Sequence, residues 1–200
     1  AISSFAIPGP LMYNTTYGWR IVNKNDTCGV SGPTWTFTTE QDPNLWCFID
    51  DFESGTGNWT ITNDGGTPGC VWTIYTPPYP NAYTIPNSSG GVFAADVDEC
   101  GSGSTLLSTA TVTNPFDFSI YQSVIIEFDQ DFNALTANDA CYVEVSTDNI
   151  NWTIVWQQVG VDLRNTHEVV NVSTLGALQP TFYVRLRSVQ PGWDWWWAVD

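Results

Sequence analysis

Positive charge is scarce in this sequence. Lys and Arg together number 5 in 200 residues, against 21 Asp and Glu, so the formal net charge is −16. A protein of this sign repels a phosphate backbone, because nucleic-acid binding depends on basic side chains that neutralise phosphates. The composition therefore excludes nucleic acid as a partner.

Long apolar runs and nucleophile motifs are also missing. No stretch approaches the roughly 20 apolar residues of a membrane-spanning helix, so we expect no membrane span in this segment. The single histidine, His167, heads a predicted strand, and no G-x-S-x-G motif accompanies it. Acyl-transfer chemistry of the Ser-His-Asp kind is therefore not supported.

Cysteine pairs with metal-binding or redox spacing are absent as well. No CxxC occurs among the five cysteines, which argues against zinc and thioredoxin-like sites. Disulfides remain possible, and the odd count leaves at least one thiol unpaired or paired outside this segment. The connectivity stays open. The five cysteines are Cys28, Cys47, Cys70, Cys100 and Cys141. The favoured pair is Cys70 with Cys100, which flank a segment rich in Pro, Gly and Asn.

What the sequence does have is aromatic residues and a period of two. Phe, Trp and Tyr make 14% of the chain against 13% charged residues, a balance typical of β-rich extracellular modules. Short runs of alternating apolar and polar residues, separated by Gly, Pro, Asn and Asp, predict antiparallel strands with one buried face. No segment has a convincing helical period. The clearest strand candidates are 17–23, 34–39, 123–129, 141–146, 152–159, 167–172 and 181–188.

Two of these runs assign side chains to opposite faces of a sheet. In CYVEVS (141–146), Cys141, Val143 and Val145 alternate with Tyr142, Glu144 and Ser146. In TFYVRLRS (181–188), an apolar set alternates with Tyr183, Arg185 and Arg187. Such half-buried strands predict an all-β fold of two packed antiparallel sheets.

The first part of the chain carries one family resemblance. The stretch LMYNTTYGWRIVNKNDTCGVSGPTWTFTT (11–39) resembles the second half of a fibronectin type III domain, in which a Tyr-x-Trp-Arg-Val strand leads through a turn into W-T-F-T-T. The polar stretch TTEQDPN (38–44) reads as a linker. We therefore expect residues 1–42 to be the C-terminal part of a fibronectin type III-like sandwich, and residues 43–200 to be a second domain.

The second part resembles another family along most of its length. DDFESGTGNWTI, TPGCVWTIYTPP, GGVFAADVDECGSGSTLLST, CYVEVSTDNINW and the final WDWWWAVD occur in the order seen in cleaved-adhesin or choice-of-anchor jelly rolls, with a Thr where the third element usually has Pro. That family occurs in bacterial proteins exported by type IX secretion, and the MAM domain is a more distant likeness. The resemblance implies a jelly-roll β-sandwich in a secreted or cell-surface protein.

The resemblance also implies a function. We expect a non-catalytic adhesion or binding module, whose partners are neighbouring domains of the same long chain and glycans or surface proteins of another cell. One alternative is a carbohydrate-binding appendage or a catalytic jelly roll of a polysaccharide-active enzyme, in which Asp96 and Asp98 would be facing carboxylates. Another is a structural spacer in a surface filament.

Calcium is the expected cofactor. The family resemblance implies a structural calcium at the junction of the first and last strands, which pair in a jelly roll. Carboxylates and turn carbonyls are the oxygen ligands that calcium prefers. The expected ligands are Asp51, Glu53, Asp96, Asp98 and Asp200.

Two aromatic segments remain. Trp193, Trp195 and Trp196 are candidate ligand-binding residues, because alternation cannot bury every tryptophan of WDWWW (193–197) and an exposed indole stacks on sugars or anchors interfaces. Packing against a neighbouring domain would explain the same cluster. The segment STDNINW (146–152) reads as a hairpin turn in which Asp148 and Asn149 suit positive φ.

Overall fold

The regular secondary structure of the described residues is almost all β-strand, which confirms the expected all-β fold. The computed structural model describes residues 10–13, 15–24, 28–39, 46–88 and 90–200. The chain divides into two compact units, Ala1–Ile49 and Asp50–Asp200. Within the described residues, no helix is long and apolar enough to cross a membrane.

The described part of the first unit contains an antiparallel ribbon. Strands β1 (Thr16–Lys24) and β2 (Gly29–Thr38) pair side by side, as the two alternating runs predict. Trp19 lies opposite Trp35, and their rings stack with centroids 4.6 Å apart. The expectation that this ribbon belongs to a fibronectin type III sandwich stays a prediction.

The described residues of the second unit form ten strands and two short helical turns. The turns are a 3₁₀ turn at Asp98–Cys100 and a four-residue helix, α1, at Ser173–Gly176. The strands are β3 (Trp59–Asn63), β4 (Thr73–Tyr75), β5 (Val92–Asp96), β6 (Leu106–Val112), β7 (Ile125–Asn133), β8 (Ala140–Ser146), β9 (Thr153–Val159), β10 (Leu163–Asn171), β11 (Tyr183–Gln190) and β12 (Trp196–Val199). All five strand candidates of this unit are thereby confirmed.

The ten strands form two antiparallel five-stranded sheets, the jelly-roll sandwich that the sequence predicts. Sheet I has the order β10-β7-β12-β5-β4, and sheet II has the order β3-β6-β11-β8-β9. The chain passes repeatedly from one sheet to the other, so strands distant in sequence become neighbours. The expectation that the first and last strands pair is wrong, because β3 lies at the edge of sheet II while β12 lies between β7 and β5 in sheet I.

The core lies between the two sheets and is rich in aromatic rings. Trp72 packs edge-on against Trp197 with centroids 5.1 Å apart, and the Nε1 group of Trp72 donates to the Ser108 carbonyl at 3.2 Å. Each of these rings buries about 150–250 Å². The inner faces of β8 and β11 contribute the apolar sets that alternation predicts, including Val143, Val145 and Leu186.

The outer faces of the two sheets differ. On sheet I, aromatic side chains of the segment 75–85 cover part of the outer face, where Tyr83 packs on Val92, Ala94 and Trp196. On sheet II, outward residues of both edge strands, such as Thr60, Thr62 and Gln157, are exposed. The outer face of sheet II is therefore open to solvent at its edges, whereas Thr109 and Glu144 nearer its centre are buried.

The disulfide that the sequence favours is confirmed. Cys70 and Cys100 are bonded, with their Cα atoms 5.7 Å apart. The bond ties the segment before β4 to the 3₁₀ turn after β5, and it closes a loop of 30 residues. Cys141 is buried in the core and its Sγ faces the Gln158 carbonyl at 3.8 Å.

Candidate functional site

The outward side chains of sheet II form two rows that cross all five strands. The registers of the strand pairs place them opposite one another, since residues of one face repeat every second position. The first row contains Thr60, Thr111, Arg185, Glu144 and Ile154, and the second contains Thr62, Thr109, Arg187, Tyr142 and Gln157. We call the surface made by both rows, together with Trp152, the sheet II face.

An arginine–aromatic array occupies half of this face. The guanidinium carbon of Arg185 lies 4.1 Å from the ring centroid of Trp152, and that of Arg187 lies 4.0 Å from the ring centroid of Tyr142. Glu144 lies between them and accepts from Arg185 Nε at 2.6 Å, from Arg187 Nε at 3.1 Å and from Arg187 Nη2 at 2.8 Å. Five planar side chains thus hold one another in place.

The electrostatics of the array favour full ionisation. Burial raises the pKa of Glu144, but the hydrogen bonds from Arg187 and Arg185 outweigh it, so this pKa lies below its ordinary value of 4.5. The hydrogen bond to Glu144 raises the pKa of Arg187 in turn. The array therefore holds two cations and one buried anion at neutral pH.

Hydroxyl groups occupy the other half of the face. Thr62 Oγ1 and Thr109 Oγ1 donate to the two oxygens of Asp64, at 2.8 and 2.5 Å. Thr60 Oγ1 lies 3.3 Å from Thr113 Oγ1 on the next strand. Thr60 and Thr62 are exposed, as threonine on a strand commonly is, whereas Thr109 is buried.

The turn from β8 to β9 positions Trp152. Asp148 accepts from the backbone N–H groups of Ile150 and Asn151, at 2.9 and 2.7 Å, and Asn149 has φ 58°. These contacts fix the hairpin, as the sequence predicts, and they lower the pKa of Asp148. The sequence pattern predicts the turn but does not single out Trp152, although a tryptophan beside a polar strand end is a usable signal.

The tryptophans of 193–197 do not form one exposed patch. Trp193 is 46% exposed and its Nε1 group donates to the Asp98 carbonyl at 3.2 Å. Trp195 is half-buried. Trp196 is 4% exposed, lies under Tyr83 and donates to Asp131 at 2.9 Å. The expectation for Trp196 is therefore corrected, because a buried ring cannot stack on a ligand.

The five expected calcium ligands fall into two groups. Asp51, Glu53 and Asp200 lie at one end of β5, and Asp96 lies at the other end, since Trp196 pairs with Asp96 and Val199 with Phe93. Four residues of strand span about 13 Å. A single ion held by all five residues is therefore ruled out, and Asp98 follows Asp96 into the 3₁₀ turn.

Several carboxylates lie close to Asp200. Burial raises the pKa of Asp200, and the nearby carboxylates of Asp129, Asp51 and Glu53 raise it further. Glu53 accepts from the Gly91 N–H, and a Cβ atom on Gly90 would overlap its Oε1. The described residues contain no group of three or more His, Cys, Asp or Glu side chains arranged to hold a metal, so backbone or amide oxygens would have to complete the coordination.

Asp96 and Asp98 are not arranged as the facing carboxylates of a glycosidase. Asp96 is 2% exposed and accepts from the Tyr83 hydroxyl and from Asn81 Nδ2, the latter at 2.9 Å. Burial raises its pKa. Tyr83 and Asn81 occupy the carboxylate, so it has no open side for a substrate.

Asp139 and Asp194 form a buried carboxyl pair that the sequence pattern does not predict. Asp139 is 1% exposed and Asp194 is 3% exposed. Burial, together with a hydrogen bond and repulsion from Asp139, raises the pKa of Asp194 to about 6. Asp139 also accepts from Leu135 N and Thr136 N, both at 2.7 Å. The pair links the loop after β7 to the turn before β12.

Comparisons with known proteins find several solved structures of low overall similarity. No family model and no curated protein sequence matches the chain. A carbohydrate-binding module from a study of promiscuous specificity in the β-sandwich superfamily aligns over 93% of this chain and 72% of its own, at 12% identity and TM-score 0.48. TmCBM61 with β-1,4-galactotriose covers 74% of this chain and 89% of its own, at 14% identity and TM-score 0.43. The Clostridium thermocellum family 11 module with a mixed-linked tetrasaccharide covers 76% and 90%, at 13% identity and TM-score 0.41.

Proposed function

We propose that Asp50–Asp200 is a non-catalytic module that binds carbohydrate through the sheet II face. The observation that carries this proposal is the arginine–aromatic array on the same sheet face as the exposed threonines of β3, Thr60 and Thr62. Sugars are amphipathic, with apolar C–H faces and hydroxyl edges. Planar aromatic and guanidinium groups match the faces, and Arg and Thr match the edges.

The arginines retain hydrogen-bonding capacity. A guanidinium has five N–H groups, and in the described part of the chain Arg185 bonds Glu144 through Nε alone. The side chains of Arg185 and Arg187 are 23% and 27% exposed. Their free N–H groups are therefore both accessible and pre-positioned, which lowers the entropic cost of binding.

The same face is ill-suited to catalysis. A glycosidase needs a carboxylic acid of raised pKa opposite a second carboxylate. Glu144 has a lowered pKa and is held by two arginines. Its role is to orient the array, and binding without turnover follows.

We also propose an extracellular setting in which the module contributes to adhesion by holding glycans. The Cys70–Cys100 disulfide supports an oxidising compartment. Calcium at Asp51, Glu53 and Asp200 would supply a stabilising cation to crowded carboxylates. The proposals of adhesion and of calcium binding both follow from the family resemblance of the sequence.

Retention of the full chain on immobilised polysaccharides tests the main proposal. We expect retention by at least one polysaccharide, no release of reducing sugar, and at least a tenfold weaker binding for Tyr142→Ala combined with Trp152→Ala. The matched control is Trp193→Ala, which removes an exposed indole outside the face and leaves retention unchanged. Binding lost with Trp193→Ala alone would move the site to the 193–197 segment.

A further inference from the structure

The sheet II face has the dimensions of a platform for a chain. Neighbouring strands are about 4.8 Å apart, so each row extends over roughly 19 Å from β3 to β9. Thr60 lies at one end of the first row and Ile154 at the other. A ligand that contacts a whole row must be several sugar units long.

The two aromatic residues lie at different levels along the strands. Tyr142 lies opposite Gln157, whereas Trp152 precedes Ile154, the partner of Glu144, by two residues. Their levels on the sheet differ by about 13 Å, four residues along β8. A ligand that lies along one row therefore meets one of the two rings, Trp152 beside Arg185 or Tyr142 beside Arg187.

The platform lies away from a cavity that the described residues form. Recognition of a single small ligand needs a cavity that surrounds it. A cavity of about 260 Å³ in the described part of the chain is lined by residues around the disulfide, including Thr67, Tyr75 and Glu99, and shares no residue with the sheet II face. The face therefore suits the interior of a chain.

The charge of the face indicates which kind of polysaccharide it binds. On the face, the two positive charges of Arg185 and Arg187 are balanced by the two negative charges of Glu144 and the neighbouring Asp64. The whole chain carries −16. A polyanionic glycan would gain no net attraction from the face and would be repelled at long range.

From these four observations we infer that the sheet II face binds the interior of an extended, neutral polysaccharide. The inference rests on the proposed function. Several sugar units lie across the strands, with the threonines of β3 and β6 under one end and the arginine–aromatic array under the other. Chain ends and monosaccharides make too few contacts to be held.

Calorimetric titration of the full chain tests this with oligosaccharides of one to six units from cellulose, mannan, galactan and xylan, and with oligogalacturonates of the same lengths. For a neutral series we expect no detectable monosaccharide binding and at least a tenfold gain in affinity between two and five units. Thr60→Val should weaken the longest ligands at least threefold and leave the shortest binding ligands unchanged. Thr73→Val, on the edge of sheet I, is the matched control, and its thermal melting should resemble that of Thr60→Val.

The outcomes separate the two proposals. Monosaccharide affinity equal to that of the hexasaccharide, or tighter binding of oligogalacturonates than of every neutral series, overturns the inference and leaves carbohydrate binding in place. No binding of any polysaccharide or oligosaccharide overturns both. Equal loss in Thr60→Val at all lengths contradicts the assignment of one chain end to β3.

Discussion

Arg187 and Tyr142 are direct cross-strand partners, and the guanidinium carbon lies 4.0 Å from the centre of the phenol ring. The same guanidinium donates twice to Glu144. The Arg187 side chain thus takes part both in the stack with Tyr142 and in the ion pair with Glu144. The sheet II face depends on the planar shape of this residue as much as on its charge.

Arg187→Lys keeps the charge and removes the planar fork. We expect a loss of about 1 kcal/mol in the free energy of unfolding, since an ammonium neither stacks as well nor bonds a carboxylate through two parallel groups. Glycan affinity should fall at least fivefold. Urea unfolding and retention on the bound polysaccharide measure the two effects, and Arg20→Lys on β1 is the control expected to change neither.

Glu144→Gln tests the anion at the centre of the array. Loss of charged hydrogen bonds to two arginines should cost about 2 kcal/mol in the free energy of unfolding at pH 7. Because the folded-state pKa of Glu144 lies below its ordinary 4.5, its stabilisation is present above pH 4.5 and lost as pH falls through the folded pKa. The variant and wild type should therefore converge in acid. A deficit that persists undiminished at pH 2 would contradict the electrostatic role, and Glu127→Gln is the matched control.

The buried pair at Asp194 predicts the opposite pH dependence. The pKa of Asp194 is raised from 3.8 to about 6. The contribution of its protonation to stability is therefore fully present below pH 3.8 and is lost as pH rises through 6. Asp194→Asn retains a donor toward Asp139 without the charge. We expect it to be more stable than wild type at pH 8, by on the order of 2–3 kcal/mol, and about equal at pH 4. The comparison is thermal melting from pH 4 to 8, with the exposed Asp117→Asn as a variant whose difference from wild type should be constant.

The disulfide should supply a large part of the stability of the unit. Closing a loop of 30 residues stabilises by about 3–4 kcal/mol in the chain-entropy model. Cys70→Ala combined with Cys100→Ala should lose that amount in urea unfolding, and reductant should lower wild type to the same level. Cys47→Ala, which removes an exposed thiol, should behave as wild type in both conditions. Equal stability of the double variant and wild type would show that the bond is dispensable.

Calcium binding at the Asp200 group is tested by melting with calcium and with a chelator. An ion that binds only the folded state raises the melting temperature by mass action. We expect calcium to raise it by several degrees in wild type and in Asp98→Asn, and to have no effect on Asp200→Asn. The same response in all three proteins would place any ion elsewhere.

Local patterns predicted much of this face, but tertiary register created it. Alternation alone put Glu144 on one outward face and Arg185 and Arg187 on another, because side chains repeat every second residue. It could not join them, since β8 and β11 are about 40 residues apart and their register follows from packing of the whole sandwich. Trp152 was missed for a related reason, because its partner Arg185 is distant in sequence.

The corrected residues show the same limit. Trp196 alternates as an outward residue, and an outward residue on a sheet with an open face would be exposed. Tyr83, from another segment, covers Trp196, and the alternation within residues 193–200 cannot predict this contact. Asp96 and Asp98 look like a pair in sequence, but β5 ends between them and the 3₁₀ turn redirects the second carboxyl.

The position of β12 in the middle of sheet I sets an order for assembly. Until residues 196–199 are available, β5 and β7 have no strand between them, and each presents an unpaired edge able to pair with another molecule. Local hairpins such as β8–β9 can form early, whereas sheet I closes only when the tenth strand of the unit inserts. Folding of the second unit should therefore be slow and late, and intermediates that lack β12 should be its aggregation-prone species.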